Sequence, residues 1–133
     1  MDFLQLEGKT ILVFGVANRK SVAYHVGRVL TQVGADVIYS VRTQQRRDSI
    51  RKLEGDAPIF VCDVEHQDQI DQLREEVARV REQLHGIVHS IAFADKDWLQ
   101  EGKVTATPRE VFTEAMDISA WTYMGMANRA RPL

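Results

Sequence analysis

Thr10-Ile-Leu-Val-Phe14 runs directly into Gly15-Val-Ala-Asn-Arg-Lys-Ser21-Val-Ala-Tyr24, and the reading of that junction decides the fold. The first five residues are a short β-rich apolar run. Beyond Ser21, Val22, Val26, Val29, Leu30 and Val33 recur at helical spacing, with Ser21 placed as an N-cap and Gly34 as a stop. A glycine directly after a first strand lets the chain turn tightly and brings backbone N–H groups toward a pyrophosphate. The helix N-terminus behind it adds free amides and partial positive charge. The common Gly-x-Gly-x-x-Gly pattern is absent, however. Only Gly15 stands, with Ser21 and Ala23 at the positions that need small residues. Taken alone, the segment reads equally well as a nucleotide turn or as a plain strand-to-helix connection.

Outward from this junction, short apolar runs alternate with longer amphipathic ones. Val37 to Val41 is a second strand, followed by a charged helical segment from Thr43 to Leu53. After a break at Gly55 to Pro58 comes a third strand, Ile59 to Cys62. Ile70, Leu73, Val77, Val80 and Leu84 mark one face of a long helix closed by Gly86, and Ile87 to Phe93 reads as a fourth strand. The strands are apolar throughout rather than alternating, which implies a parallel sheet covered by helices on both faces. Right-handed crossovers then favour the order 3-2-1-4, the first part of a doubly wound α/β fold of Rossmann type. Residues 94–107 read as a polar loop. A final helix is expected from Pro108 through Arg129, apolar on most sides through Val111, Phe112, Ala115, Met116, Ile118, Trp121, Met124 and Met126. The whole of residues 1–133 is expected to form one dinucleotide-binding domain, incomplete at its C-terminal side.

The totals bound the function. The chain has 133 residues, enough for one core. Hydrophobic residues at 44% and charged ones at 27% are ordinary globular values, and a net charge of −2 carries no footprint for nucleic acid or an anionic membrane. Cys62 is the single cysteine, so no intrachain disulfide can form. The opening MDFLQLEGK has an early acid and no long apolar run, unlike a secretory signal, and no stretch approaches the length of a bilayer span. A cytoplasmic location is the expectation.

Several chemistries can be weighed from spacing. Gly15 to Lys20-Ser21 is one residue short of a P-loop, and Arg19 stands where that loop needs its last glycine, so its side chain would obstruct the phosphate cradle. The exit of the second strand usually sets the cofactor: an acid there binds a ribose 2′-OH, an arginine a 2′-phosphate. Here Arg42 stands at that exit, Arg46 and Arg47 follow a turn later, and no acid appears before Asp48. That pattern suits a phosphate clamp and NADPH, although Arg46, Arg47 and Arg51 could equally form a solvated basic face. Asp63, after the third strand, could accept a bond from adenine or cap the next helix. Ser90, Ile91 and Ala92 end the fourth strand on the same edge. His85 and His89 lie roughly 13 Å apart on extended chain, too far to share a metal. Ser90 lacks a Gly-x-Ser-x-Gly elbow, and Cys62 reads as a small core residue.

Four segments together resemble one family: Gly15-Val-Ala-Asn-Arg-Lys-Ser-Val-Ala-Tyr24, Cys62-Asp63-Val64, His89-Ser-Ile-Ala-Phe-Ala94 and Asp117-Ile-Ser119. In order and spacing they are similar to the enoyl-[acyl-carrier-protein] reductases of bacterial type II fatty-acid synthesis. That group is a divergent branch of the short-chain dehydrogenases/reductases, marked by Gly-x5-Ser-x-Ala, so the missing glycines become the family's own signature. The resemblance implies hydride reduction of the trans-2 double bond of an acyl-carrier-protein-linked enoyl thioester, and a homotetramer for the complete protein. It also implies that Gly15, Ser21 and Val22 face the pyrophosphate, that Asp63 and Val64 face the adenine, and that Ser90, Ile91, Ala92 and Ile118 line the ribose and nicotinamide side. Basic residues at the position of Arg42 accompany NADPH use, and a glutamine accompanies NADH, so NADPH is expected with NADH possible. The family's Tyr/Lys pair is not found. Seven residues after Tyr24, Tyr39 and Tyr123 stand Thr31, Arg46 and Ala130, and four residues after them stand Arg28, Thr43 and Ala127. No catalytic residue is therefore assigned. The expectation is an N-terminal half that carries the cofactor and is inactive alone. The alternatives are a non-catalytic nucleotide-binding fragment or a carbonyl-reducing relative.

Overall fold

The computed structural model describes residues 3–133; Met1 and Asp2, the early acid of the opening stretch, lie outside them. Four parallel strands, β1 (Thr10–Phe14), β2 (Asp36–Val41), β3 (Ile59–Val61) and β4 (Gly86–His89), form one sheet in the order β3-β2-β1-β4. This is the expected doubly wound arrangement. Five α-helices accompany it: α1 (Val22–Gln32), α2 (Gln44–Glu54), α3 (Gln67–Val80), α4 (Arg109–Met116) and α5 (Thr122–Ala130).

Period-two geometry explains why the strands are apolar along their whole length. Ile11, Val13, Val37, Tyr39, Val41 and Ile59 point to one face and pack with Ala23 and Tyr24 of α1 and Ile50 of α2. Leu12, Phe14 and Ile38 point to the other and pack with Ile70, Leu73 and Val77 of α3 and Met126 of α5. Each strand thus feeds two cores. The register sets the strand exits level: Phe14 lies opposite both Ser40 and His89, and Val41 opposite Val61. A single crevice can therefore run along the carboxyl edge.

Several expected boundaries shift. The valine stripe assigned to α1 is not its buried face: Val22 is 69% exposed and Val29 53%, while Ala23, Tyr24 and Gly27 are buried. Gly27 decides this orientation, because a Cβ there would stand 2.3 Å from the Tyr39 hydroxyl. The third helix ends at Val80 rather than Leu84. Arg81 is extended (φ −143°) and its guanidinium is bonded to both carboxylate oxygens of Asp36, which pulls the chain toward the sheet. The fourth strand stops at His89 instead of Phe93 because its neighbour stops first: β1 ends at Phe14, and the Ser90 N–H donates the last bond to the Phe14 carbonyl at 3.3 Å. The third strand closes at Val61, one residue early, with Cys62 still buried.

Two 3-10 turns, Lys96–Trp98 and Val104–Ala106, shape the expected loop at 94–107. The expected last helix widens between α4 and α5 into a π-helical turn at Asp117–Trp121. One side of it is packed against the sheet and α3. Ile118, Thr122 and Met126 are buried, and Arg129 pairs with Asp71 of α3 at 2.6 Å. Phe112, Met116, Trp121 and Met124 do remain exposed.

Candidate functional site

The carboxyl ends of the four strands open into a cleft of about 250 Å³. Its floor is made by Phe14, Ser40 and Cys62, one wall by Gly15 to Ala17, and the opposite wall by Ser90 to Phe93 with Ile118. Gly15 is what lets these walls meet. Its φ is +97°, and a Cβ there would lie 1.9 Å from the Ser90 carbonyl oxygen. Only glycine permits this conformation without strain and this approach without collision.

Ser21 occupies the N-cap position of α1 as expected, yet its side chain makes no capping hydrogen bond. The hydroxyl instead turns back into the loop, donating to the Asn18 carbonyl at 2.6 Å and accepting from the Ala17 N–H at 3.3 Å. Two consequences follow. The turn is tied into one shape, and the first amides of α1 keep their capacity for an anion.

The rim is charged on both sides. Arg42 donates from Nε to Asp63 Oδ2 at 3.1 Å and from Nη2 to Glu65 Oε2 at 2.6 Å. These partners hold its guanidinium charge more firmly than usual, the Asp63 hydrogen bond first. Arg46, in the first turn of α2, donates to the Ala17 carbonyl at 3.0 Å and so ties α2 to the glycine turn. Asp63 does not cap the next helix; His66 holds that position. Asp63 Oδ1 accepts the Glu65 N–H at 3.1 Å, and its own N–H donates to Gln69 Oε1 at 2.8 Å, so its carboxylate is held at the rim.

The far wall rests on the π-helical turn. Ser119 Oγ accepts the Phe93 N–H at 2.9 Å and donates back to the Phe93 carbonyl at 3.1 Å, clamping the segment that leaves β4. Beneath it, the Thr122 hydroxyl donates its one proton to the Ile118 carbonyl at 2.6 Å. His89 Nε2, 2.9 Å from the same oxygen, must then be the donor to Thr122, which fixes the Nε2–H tautomer. Burial lowers the pKa of His89 below its ordinary 6.5 and keeps the ring neutral.

Of the eleven positions singled out from sequence, Gly15, Arg42, Arg46, Asp63, Val64, Ser90, Ile91, Ala92 and Ile118 line the cleft together. Ser21 and Val22 do not; Ser21 shapes the turn from behind and Val22 faces outward. Sequence reasoning missed Glu65, Ser119 and Phe93. Glu65 follows Asp63 by two residues, the spacing of an Asx turn, and that was its available signal. Ser119 and Phe93 stand within the segments that carry the family resemblance, but nothing in the sequence pairs them, since their bond spans 26 residues. Cys62 was read as core and is both core and floor, its thiol pushed up to about 12 chiefly by burial. None of Tyr24, Tyr39 and Tyr123 lines the cleft. Among the described residues no three His, Cys, Asp or Glu side chains gather as a metal would require, and no helix is long and apolar enough to cross a membrane.

The arrangement fits a dinucleotide on its own terms. The turn leaves no room for a Cβ, the N-terminus of α1 carries no side-chain cap, and Ser40 Oγ is buried at the floor without a partner. Comparison with known proteins agrees. A family model described as enoyl-(acyl carrier protein) reductase matches residues 15–133. The chain is 33% identical over 135 residues to the enoyl-[acyl-carrier-protein] reductase [NADPH] FabI of Staphylococcus aureus, covering 98% of this chain and 52% of that protein. It is 32% identical over 136 residues to the corresponding [NADH] enzyme of Neisseria meningitidis, covering 100% and 51%. The crystal structure of the NADH enzyme from Aquifex aeolicus superposes with a TM-score of 0.90 at 34% identity, over 96% of this chain and 51% of that one. The chain therefore spans about half the length of the curated relatives it matches.

Proposed function

This chain belongs to the enoyl-(acyl carrier protein) reductase family, and on that premise we propose that its cleft holds a nicotinamide dinucleotide. The observation that carries the reading is the Gly15 turn pressed against the Ser90 carbonyl, with the uncapped N-terminus of α1 behind it. The residues then divide the ligand between them. The Gly15 turn and the first amides of α1 take the pyrophosphate. Asp63 and Val64 stand beside the adenine, and Ser90, Ile91, Ala92 and Ile118 flank the ribose and nicotinamide. Arg42 and Arg46 are the groups available to a 2′-phosphate, so NADPH is the preferred cofactor, with NADH accepted more weakly. When bound, the dinucleotide supplies hydride for reduction of the double bond of an acyl-carrier-protein-linked enoyl thioester.

The chain's own residues bind and orient in this scheme. Phe14 and Cys62 shield the cleft at its floor, beside the Ser40 hydroxyl. No tyrosine here has a lysine seven residues on, and none of the three lines the cleft. That observation favours a second reading for the 133 residues by themselves, namely nucleotide binding without turnover. Titration of the chain with NADPH and NADH, followed by fluorescence of Trp98 and Trp121 or by calorimetry, tests the cofactor reading. Saturable binding of NADPH tighter than NADH is expected, and binding of neither refutes it. Assay on a crotonyl thioester of this chain joined to the C-terminal half of one of the relatives tests the reaction; inactivity with both cofactors refutes that part.

A further inference from the structure

We propose that Glu65 sets the cofactor preference of the cleft by holding Arg42, so that a ribose 2′-phosphate must compete with a carboxylate for the guanidinium. The inference rests on the dinucleotide reading above and extends it to a positioning residue. Nε and Nη2 make up one edge of the Arg42 guanidinium, and both are taken, by Asp63 at 3.1 Å and by Glu65 at 2.6 Å. That side-on edge is one of the guanidinium's two bidentate edges, and a phosphate that approached the other, Nη1 with Nη2, would meet a charge already paired with two carboxylates. Arg46, whose Nη1 is engaged with the Ala17 carbonyl at 3.0 Å, is the second basic group at this rim and stays the same in every variant of the test.

The two carboxylates are not equally able to let go. Asp63 is 19% exposed, and its residue is tied a second and third time through the Glu65 and Gln69 bonds. Glu65 is 32% exposed and meets Arg42, itself 61% exposed, across open rim. Glu65 is therefore the group a phosphate displaces. A ribose that ends in a hydroxyl has no such need, since a carboxylate at this rim is a ready acceptor for it. The same four side chains thus carry a feature for each cofactor, and the charge on Glu65 weighs one against the other.

The test compares dissociation constants of NADPH and NADH on the full chain for the parent, Glu65→Gln, Arg42→Gln and the double variant. Glutamine keeps the length and an acceptor oxygen and removes only the charge. Both constants come from one preparation, so any loss of folded protein cancels in their ratio. Glu65→Gln is expected to raise the preference for NADPH by about twofold to fivefold, the range of one exposed ion pair. In the Arg42→Gln background the same change should have no effect on the ratio. An unchanged ratio in Glu65→Gln overturns the proposal. So does an equal rise with and without Arg42, which would make Glu65 a simple repulsive charge. Binding of neither nucleotide to any variant overturns the dinucleotide reading itself, and this inference with it.

Discussion

Gly15→Ala places a methyl group where the structure has none to spare, and its cost can be built up from the geometry. The position has φ +97°, which costs an L-residue about 1–2 kcal/mol. The new Cβ would stand 1.9 Å from Ser90 O and 2.6 Å from the Ser90 carbonyl carbon, both backbone atoms. Relief requires β1 and the exit of β4 to move apart, which breaks the Ser90–Phe14 bond at about 1 kcal/mol. Separating packed elements adds about 1–3 kcal/mol more. The expected loss is about 3–6 kcal/mol, a large share of a domain's stability. With a urea slope near 1.5 kcal/mol/M, the midpoint falls by about 2–4 M. Gly55→Ala is the internal reference: φ is +57° and nothing lies within 4 Å, so only backbone strain of about 1–2 kcal/mol applies. Urea unfolding followed by circular dichroism, with NADPH titration below the transition, reads both effects. Equal midpoint losses for the two variants, or undiminished NADPH affinity in Gly15→Ala, would refute the close-approach reasoning.

Three further outcomes are expected. Ser119→Ala removes both bonds to Phe93 and should cost about 1–3 kcal/mol by leaving a half-buried N–H unpaired, with weaker NADPH binding; an unchanged melting curve and affinity would show that the clamp does not hold the wall. His89 has its folded pKa below the unfolded 6.5, so the unfolded chain binds more protons there and stability must fall as pH drops through that region. Melting temperatures between about pH 8 and 5 should show this slope, and His89→Gln should flatten it; an identical slope in the variant would assign it elsewhere. Cys62, with its thiol pushed up to about 12 and 3% exposed, should react with iodoacetamide at least about a thousandfold more slowly in the native state than in urea, and prompt labelling in native buffer would contradict the burial.

Much of this architecture is local in origin and therefore legible along the chain. β1 was placed at Thr10–Phe14 to the residue, because a compact apolar run ends there at a glycine. The sheet order followed from parallel strands and the handedness of their crossovers. Seven cleft residues stand at strand exits or in the next few positions, which the strand pattern marks, and Val64 and Ile118 came only from the family resemblance. What failed was decided by neighbours distant in sequence. The buried face of α1 depends on Tyr39 meeting Gly27, and no helical periodicity in α1 carries that fact. The end of α3 depends on Arg81 finding Asp36, 45 residues away, and the end of β4 on where β1 has already stopped.

The chain alone thus determined that there is a turn at Gly15 between a strand and a helix, and which residues stand at the strand exits. Backbone preference and hydrophobic period act over a few residues, so they are written locally. Only the tertiary structure decided that Gly15 must remain glycine against Ser90, that Ser119 clamps Phe93, and that Arg42 is already held by Asp63 and Glu65. Those are contacts between segments, and their geometry exists only once the sheet has set the segments side by side.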